Sequence, residues 1–161
     1  MKHYVNKENK PFAFEDDVDQ EQLNDFIEKF SLTAISELEF IAITAPSLKE
    51  MKTSKLTSLN TFCEAAIVGG FTSSALGSEH TYQSDRDDQV NLMGLVTAGN
   101  DDVLKCFDGY TWNWKQHTVS QLKKVFNDGA AFKKEQLIKA NTLKAQIEAA
   151  SANEELDGIV W

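Results

Sequence analysis

The sequence predicts an α+β fold, with short β-hairpins packed with several helices and a long C-terminal helical segment. Three observations predict it. Short β-type runs flank turn signals at Asn6–Lys10, Gly77–Ser78 and Asp108–Gly109. Ser, Thr or Asp followed three places later by Glu or Gln repeatedly precedes an apolar stripe of helical spacing. The chain from Val119 to about Ala150 is dominated by helical patterning rich in lysine and alanine.

In chain order, His3–Val5 and Phe12–Phe14 form an expected hairpin, with Pro11 at a strand start where its missing N–H is tolerated. Leu23, Phe26, Ile27 and Phe30 then share one helical face behind Asp19, whose carboxylate suits a helix cap. Ser36 with Glu39 opens a short helix, and Ser47 with Glu50 opens a longer one that Gly69–Gly70 ends. Phe71–Ser74 and His80–Gln83 read as strands around a turn. Ser84 or Asp85 caps the next helix, with Asp85, Asp87 and Asp88 placed at the positive end of its dipole. Val103–Phe107 and Tyr110–Trp114 make a second hairpin across Asp108–Gly109. Thr118 with Gln121 opens a helix that Asn127-Asp128-Gly129 is expected to interrupt or bend, and a second helical stretch continues to about Ala150. Ser151 with Glu154 caps a final turn before the apolar tail Ile159, Val160, Trp161, which should dock on this chain or on another. We expect a small hairpin-plus-helix module over residues 1–45 and an α+β body over 46–161.

The chain has 161 residues, 42% of them hydrophobic, which suffices for a core without staples. Its net charge of −9 disfavours nucleic acid and anionic membranes as partners. Two cysteines without a CxxC spacing suit a reducing cytosol, and Cys63 sits among apolar helix positions, as a buried thiol would. The N-terminus has no apolar core of signal-peptide length, and no run approaches the roughly 20 apolar residues of a membrane span.

The segment Gly70–Gln89 concentrates polar side chains. His80, Asp85, Asp87 and Asp88 could ligate a metal, but the spacing lacks the glycine and the twelfth-position glutamate of a calcium loop. No GxSxG, Cys–His signature, HExxH or phosphate-binding glycine loop is present. The acidic cluster is read as helix capping, and neither a catalytic residue, a cofactor nor a metal is assigned. Tyr110, Trp112 and Trp114 fall on one side of a strand. We expect this to be the core face, covered by helices. Exposed, it would mark a protein or glycan contact.

The segments GFTSSALGSEHTYQSDRDDQVNLMGLV, CFDGYTWNWKQHTVSQLKKVFNDG and LKAQIEAASANEELDGIVW together resemble an uncharacterised domain family of tailed bacteriophages and prophages, over about residues 50–161. The family occurs in tail-fibre and tail-fibre-assembly proteins. KHYVNKENKPFAFEDDV and LTAISELEFIAIT are similar to the start of small phage tail-assembly proteins. The resemblance implies no enzyme. It implies a tail-fibre assembly protein or chaperone that binds a fibre polypeptide or another tail protein in the host cytoplasm and stays at the fibre tip. The alternatives are a structural component of the tail or baseplate, and a glycan-binding tip module using Tyr82, Trp112 and Trp114. Partner contacts are expected at Tyr4, Phe12 and Phe14, at Tyr82, Trp112 and Trp114, and at Trp161. Nucleic acid, membrane and cofactors are not expected, and homo-oligomerisation stays open.

Overall fold

The computed structural model describes residues 1–161 throughout. The α+β arrangement expected from the sequence is the one adopted: two small antiparallel sheets and six helices, one of them very long. The chain divides into two compact units, Met1–Ser47 and Leu48–Trp161.

In the first unit, β1 (Lys2–Val5) pairs antiparallel with β2 (Pro11–Phe14). Asn6 closes the connection, its side-chain oxygen accepting the N–H groups of Glu8 and Lys10 at 3.0 and 2.9 Å. Helix α1 (Gln20–Phe30) starts where the Asp19 carboxylate accepts the N–H groups of Glu21 and Gln22. It stops at Ser31, which takes a left-handed turn. The chain then adds β3 (Thr33–Ile35) to the free side of β1, giving the order β2-β1-β3. Sequence patterning missed β3, because three residues are too few to show alternation and only the waiting edge of β1 makes them a strand. One sheet face carries Tyr4, Phe12 and Phe14, whose rings pack with Phe26 and Phe30 of α1 at centroid distances of 5.5–5.9 Å. On the other face His3 stacks at 4.3 Å on Phe40 of α2 (Glu37–Thr44). The expected Ser36/Glu39 capping box opens α2.

The second unit begins with α3 (Leu48–Val68). Gly69 and Gly70 then turn the chain into β4 (Phe71–Ser73), followed by β5 (His80–Tyr82) and α4 (Arg86–Ala98). Gly70 has φ +108°, and a Cβ there would sit 2.8 Å from the Tyr82 carbonyl oxygen, so both conformation and space require glycine. The strands β6 (Asp102–Phe107) and β7 (Trp112–His117) complete a sheet of order β4-β5-β6-β7. The capping residue of α4 is Asp85, locked with Asp88, and Asp87 lies beside them in the first turn.

Helix α5 (Val119–Ala149) runs 31 residues without a break. The interruption expected at Asn127-Asp128-Gly129 does not occur. Gly129 is there for packing: a Cβ on it would meet the Phe71 ring at 2.7 Å. The helix absorbs the propensity cost so that β4 can lie against it. Phe71, Tyr82, Leu92, Cys106, Leu122 and Val125 form the core between sheet and helices. A second cluster joins α3 to the far end of α5 through Leu59, Ile147, Ala150 and Leu156, the last from α6 (Asn153–Asp157). Ser151 bonds Glu155, rather than the expected Glu154. The tail docks on its own chain: Ile159 and Trp161 pack on the second cluster. Lys55 donates to the Ile159 carbonyl at 2.9 Å, and the Lys139 ammonium lies 4.4 Å from the Trp161 ring centroid. No helix is long and apolar enough to cross a membrane.

Two helical glycines give opposite predictions. Gly94 in α4 has nothing within 4 Å of an added Cβ, so Gly94→Ala should raise stability by about 0.5–1 kcal/mol through helix propensity. Gly129→Ala gains the same propensity but overpacks a buried ring, and should lower stability by roughly 1–2 kcal/mol. Urea midpoints of the two variants measure this, and shifts of the same sign at both positions would contradict it.

Candidate functional site

The β6–β7 hairpin is built around Asp108. Its carboxylate accepts the N–H groups of Tyr110 and Thr111 at 3.1 and 3.0 Å, and Gly109 supplies a φ of 99°. These bonds, and Lys115 at 3.4 Å, hold its carboxyl down at about 2. The register runs unbroken from Asp102↔His117 to Phe107↔Trp112, so alternate residues divide cleanly between two faces.

The inner face carries Cys106, Lys115 and His117, joined by Tyr82, Ser73 and His80 from the neighbouring strands. Its polar groups are paired off in a chain. The Tyr82 hydroxyl lies 3.0 Å from His117 Nε2, while His117 Nδ1 lies 2.8 Å from the Lys115 carbonyl. The carbonyl can only accept, so Nδ1 carries the proton and Nε2 accepts from the tyrosine. By the same reasoning His80 donates through Nδ1 to the Ser78 carbonyl at 2.9 Å and accepts at Nε2 from the Lys115 ammonium at 3.1 Å. Ser73 donates to Asp128, which also binds Lys124. Burial pushes the Asp128 carboxyl up, but the Ser73 and Lys124 bonds outweigh it and bring it below its ordinary value. Burial also raises the Tyr82 hydroxyl, with the Cys106 thiol adding to the effect, and raises the Cys106 thiol itself. Cys106 and His117 have no exposed surface, so neither thiol nor ring can meet a substrate. One set of bonds ties β5 to β7, and the Ser73–Asp128 bond ties β4 to α5.

The outer face is different. Val103, Lys105 and Phe107 of β6 stand opposite Gln116, Trp114 and Trp112 of β7. Trp114 is 68% exposed and Trp112 is 40% exposed. The core role expected for this side is therefore wrong. The helices cover the other face, and the sequence pattern, aromatic on one side and polar with His117 on the other, does not say which side the helix chooses. Phe107 lies 5.5 Å from Trp112, and the Lys105 ammonium sits 5.8 Å from the Trp112 ring centroid. β7 is also a sheet edge.

The residues expected to bind a partner are thus not gathered. Trp112 and Trp114 share the exposed face, whereas Tyr82, 2% exposed, is on the buried one. A glycan platform of these three rings does not form. Tyr4, Phe12 and Phe14 lie half-buried against α1 in the first unit, and Trp161 packs on α3 and α5. His80 and the aspartates at 85–88 serve separate purposes, in the sheet network and the α4 cap, and no group of three or more His, Cys, Asp or Glu side chains is placed to hold a metal ion. The outer-face residues not foreseen were Val103 and Phe107. The Asp108–Gly109 turn could have found them, since it sets them opposite the tryptophans.

The four-stranded sheet, this hairpin, α4 and α5 all fall within residues 50–160, which match the family described as Domain of unknown function (DUF4376). The chain belongs to the DUF4376 family. No curated protein and no solved structure matches it. The DUF4376 domain begins within the first turn of α3 and reaches to Val160, so the exposed aromatic face and the buried network are both features of the domain.

The buried network makes the domain acid-sensitive. Burial lowers the His117 pKa below 6.5, with the charges of His80 and Lys115 acting in the same direction against the favourable Lys115 carbonyl. The unfolded chain takes up this proton near 6.5 while the native chain does not, so the contribution is full above that pH and is lost as pH falls toward the native value. Stability should therefore decline as pH falls below about 6.5, and His117→Gln should flatten that decline while lowering stability at pH 7.5 by about 1–3 kcal/mol. Urea denaturation of both proteins across this range tests it. An unchanged slope in the variant assigns the acid sensitivity elsewhere.

Proposed function

We propose that this DUF4376 protein is a bacteriophage tail-fibre assembly factor, a binding protein without catalytic activity that holds a fibre polypeptide in the host cytoplasm and stays at the fibre tip. Two things support the reading. The three segments quoted above resemble a domain of phage tail-fibre and tail-fibre-assembly proteins. And Trp112 and Trp114 stand exposed on an edge strand, where a domain with no partner would be expected to hide them. The second observation carries the proposal.

The physical motive is solubility. Fibres are β-rich oligomers, and before they assemble their unpaired edges and apolar tips aggregate. An acidic partner, net charge −9, that covers such a surface with its own apolar face keeps the pair in solution. Exposed tryptophans on a rigid hairpin suit the task, because they offer large contact area at little conformational cost.

Co-expression with the fibre gene beside this one tests the proposal. Fibre solubility and trimer yield should rise with the wild type and fall back with Trp112→Ala/Trp114→Ala. That double variant should itself unfold within about 0.5 kcal/mol of the wild type, since the rings contribute little to the core. Equal fibre yield with and without the protein would reject the assembly role.

A further inference from the structure

The β6–β7 hairpin is thinly attached to the rest of its sheet. One backbone bridge, Thr81↔Phe107, joins it to β5. Each of its strands has six residues, and each buries one of them, Cys106 in β6 and His117 in β7. Two side-chain links add to this hold, and both cross β6 from β5 to β7. His80 meets the Lys115 ammonium at 3.1 Å, and the Tyr82 hydroxyl meets His117 at 3.0 Å. Each link uses the Nε2 lone pair of an imidazole. The chain has three histidines, and two of them make these links. The feet of the hairpin are fixed by other means. β6 follows Gly99, which ends α4 at φ 69°, and β7 runs into α5 at the Thr118 cap. There the Asp101 carboxylate accepts the Val119 N–H at 2.8 Å.

We infer that the β6–β7 hairpin is a flap released by acid: protonation of His80 and His117 frees it from β5 while its feet, and the α3–α5 pairing beyond them, stay in place. Histidine is the side chain whose charge ordinarily changes between about pH 5 and 8. A protonated His80 turns an N–H toward the Lys115 ammonium, which can only donate, so the link becomes a repulsion. A protonated His117 places a full charge on a ring with no exposed surface. Lifting the hairpin brings that charge to water. The open form thus binds the two protons more tightly than the closed one, and falling pH shifts the population toward it.

The other ionisable groups around the two rings come from every neighbouring element. α5 presents Asp128, bound to Ser73 and Lys124. The hairpin turn presents Asp108, bound to the Tyr110 and Thr111 N–H groups and to Lys115. β6 presents Cys106 and Asp102, the latter opposite His117 in the register and bound to the Val103 N–H. β5 presents Tyr82, with Glu79 exposed just before the strand, and β4 carries no ionisable side chain. The charges that act on His117 are those of His80 and Lys115, and both oppose its proton. The inference goes beyond acid sensitivity of the whole domain, because it places the opening in one hairpin. It does not rest on the tail-fibre reading, since it concerns how Trp112 and Trp114 are mounted and not what they hold.

Native-state amide exchange on the full chain at pH 7.5 and 5.5, corrected for the intrinsic exchange rate, tests it. Between the two conditions, protection in β6 and β7 should fall roughly tenfold more than protection in α3. In His80→Gln/His117→Gln the two regions should change together, because the glutamine oxygen accepts a hydrogen bond but takes no proton in this range. Should that variant not fold, proton NMR of the wild type decides: the loss of hairpin protection should follow the titration of the His80 and His117 rings. Equal losses in the hairpin and in α3 would mean that acid acts by global unfolding alone and would overturn the inference. So would a hairpin indifferent to pH, a response that survives in the double variant, or a midpoint matching neither ring.

Discussion

The contact of Phe71 with Gly129 is the constraint on which the second unit depends. It lets β4 approach α5 as closely as a ring and a backbone can, and from that approach the sheet inherits its distance from the helix. α5 then covers the face bearing Phe71, Tyr82 and Cys106, and the same helix continues to meet α3 in the second cluster. One long helix thus serves two cores. A helix kinked at Gly129 would separate them, since the sheet packs on its first half and α3 on its second. The cost of a glycine in mid-helix, about 1 kcal/mol, is small beside the burial of Phe71 and its neighbours.

This single-sided arrangement also explains the character of the two sheet faces. The buried one is not purely apolar. Tyr82, His117, His80 and Ser73 lie on it, and their polar atoms find partners in another strand, a turn, a helix or, for His117 Nδ1, their own strand. Such bonds add little net stability each, but an unpaired member would cost more than it contributes, so the network holds β5 and β7 on either side of β6. The histidine tautomers follow from carbonyl partners two residues away in both cases, which makes the pattern a property of local chain direction.

Much of this was legible from residues near one another in sequence. Capping by Asp19, Ser36, Asp85 and Thr118 and the turn at Asp108–Gly109 are local, and local chemistry decides them. What failed was decided at long range. Gly129 reads as a helix breaker until Phe71 is placed against it, 58 positions earlier in the chain. β3 reads as a loop until β1 offers an edge. The tryptophans of β7 read as core because their face is the more apolar one, yet α5 lies on the side of His117. Alternation gives two faces, and only the helix packing chooses between them. The site was therefore half legible: Trp112 and Trp114 could be named, but the company of Phe107, and the separation from Tyr82 and Trp161, could not.

Magnitudes bear on how such a surface could hold a partner. The area that Trp112 and Trp114 still expose is on the order of 200 Å², worth roughly 5 kcal/mol if fully buried. Association itself costs about 4–15 kcal/mol in lost freedom, so the two rings alone would barely retain a ligand. A strand edge changes the balance, because its N–H and C=O groups are already fixed in direction and each bond formed orders only the incoming segment. β7 is such an edge and carries both rings, so a segment paired with it would take its affinity from the backbone bonds and its selectivity from the aromatic face. On this argument the hairpin's exposed rings and the free edge of β7 belong to one recognition surface.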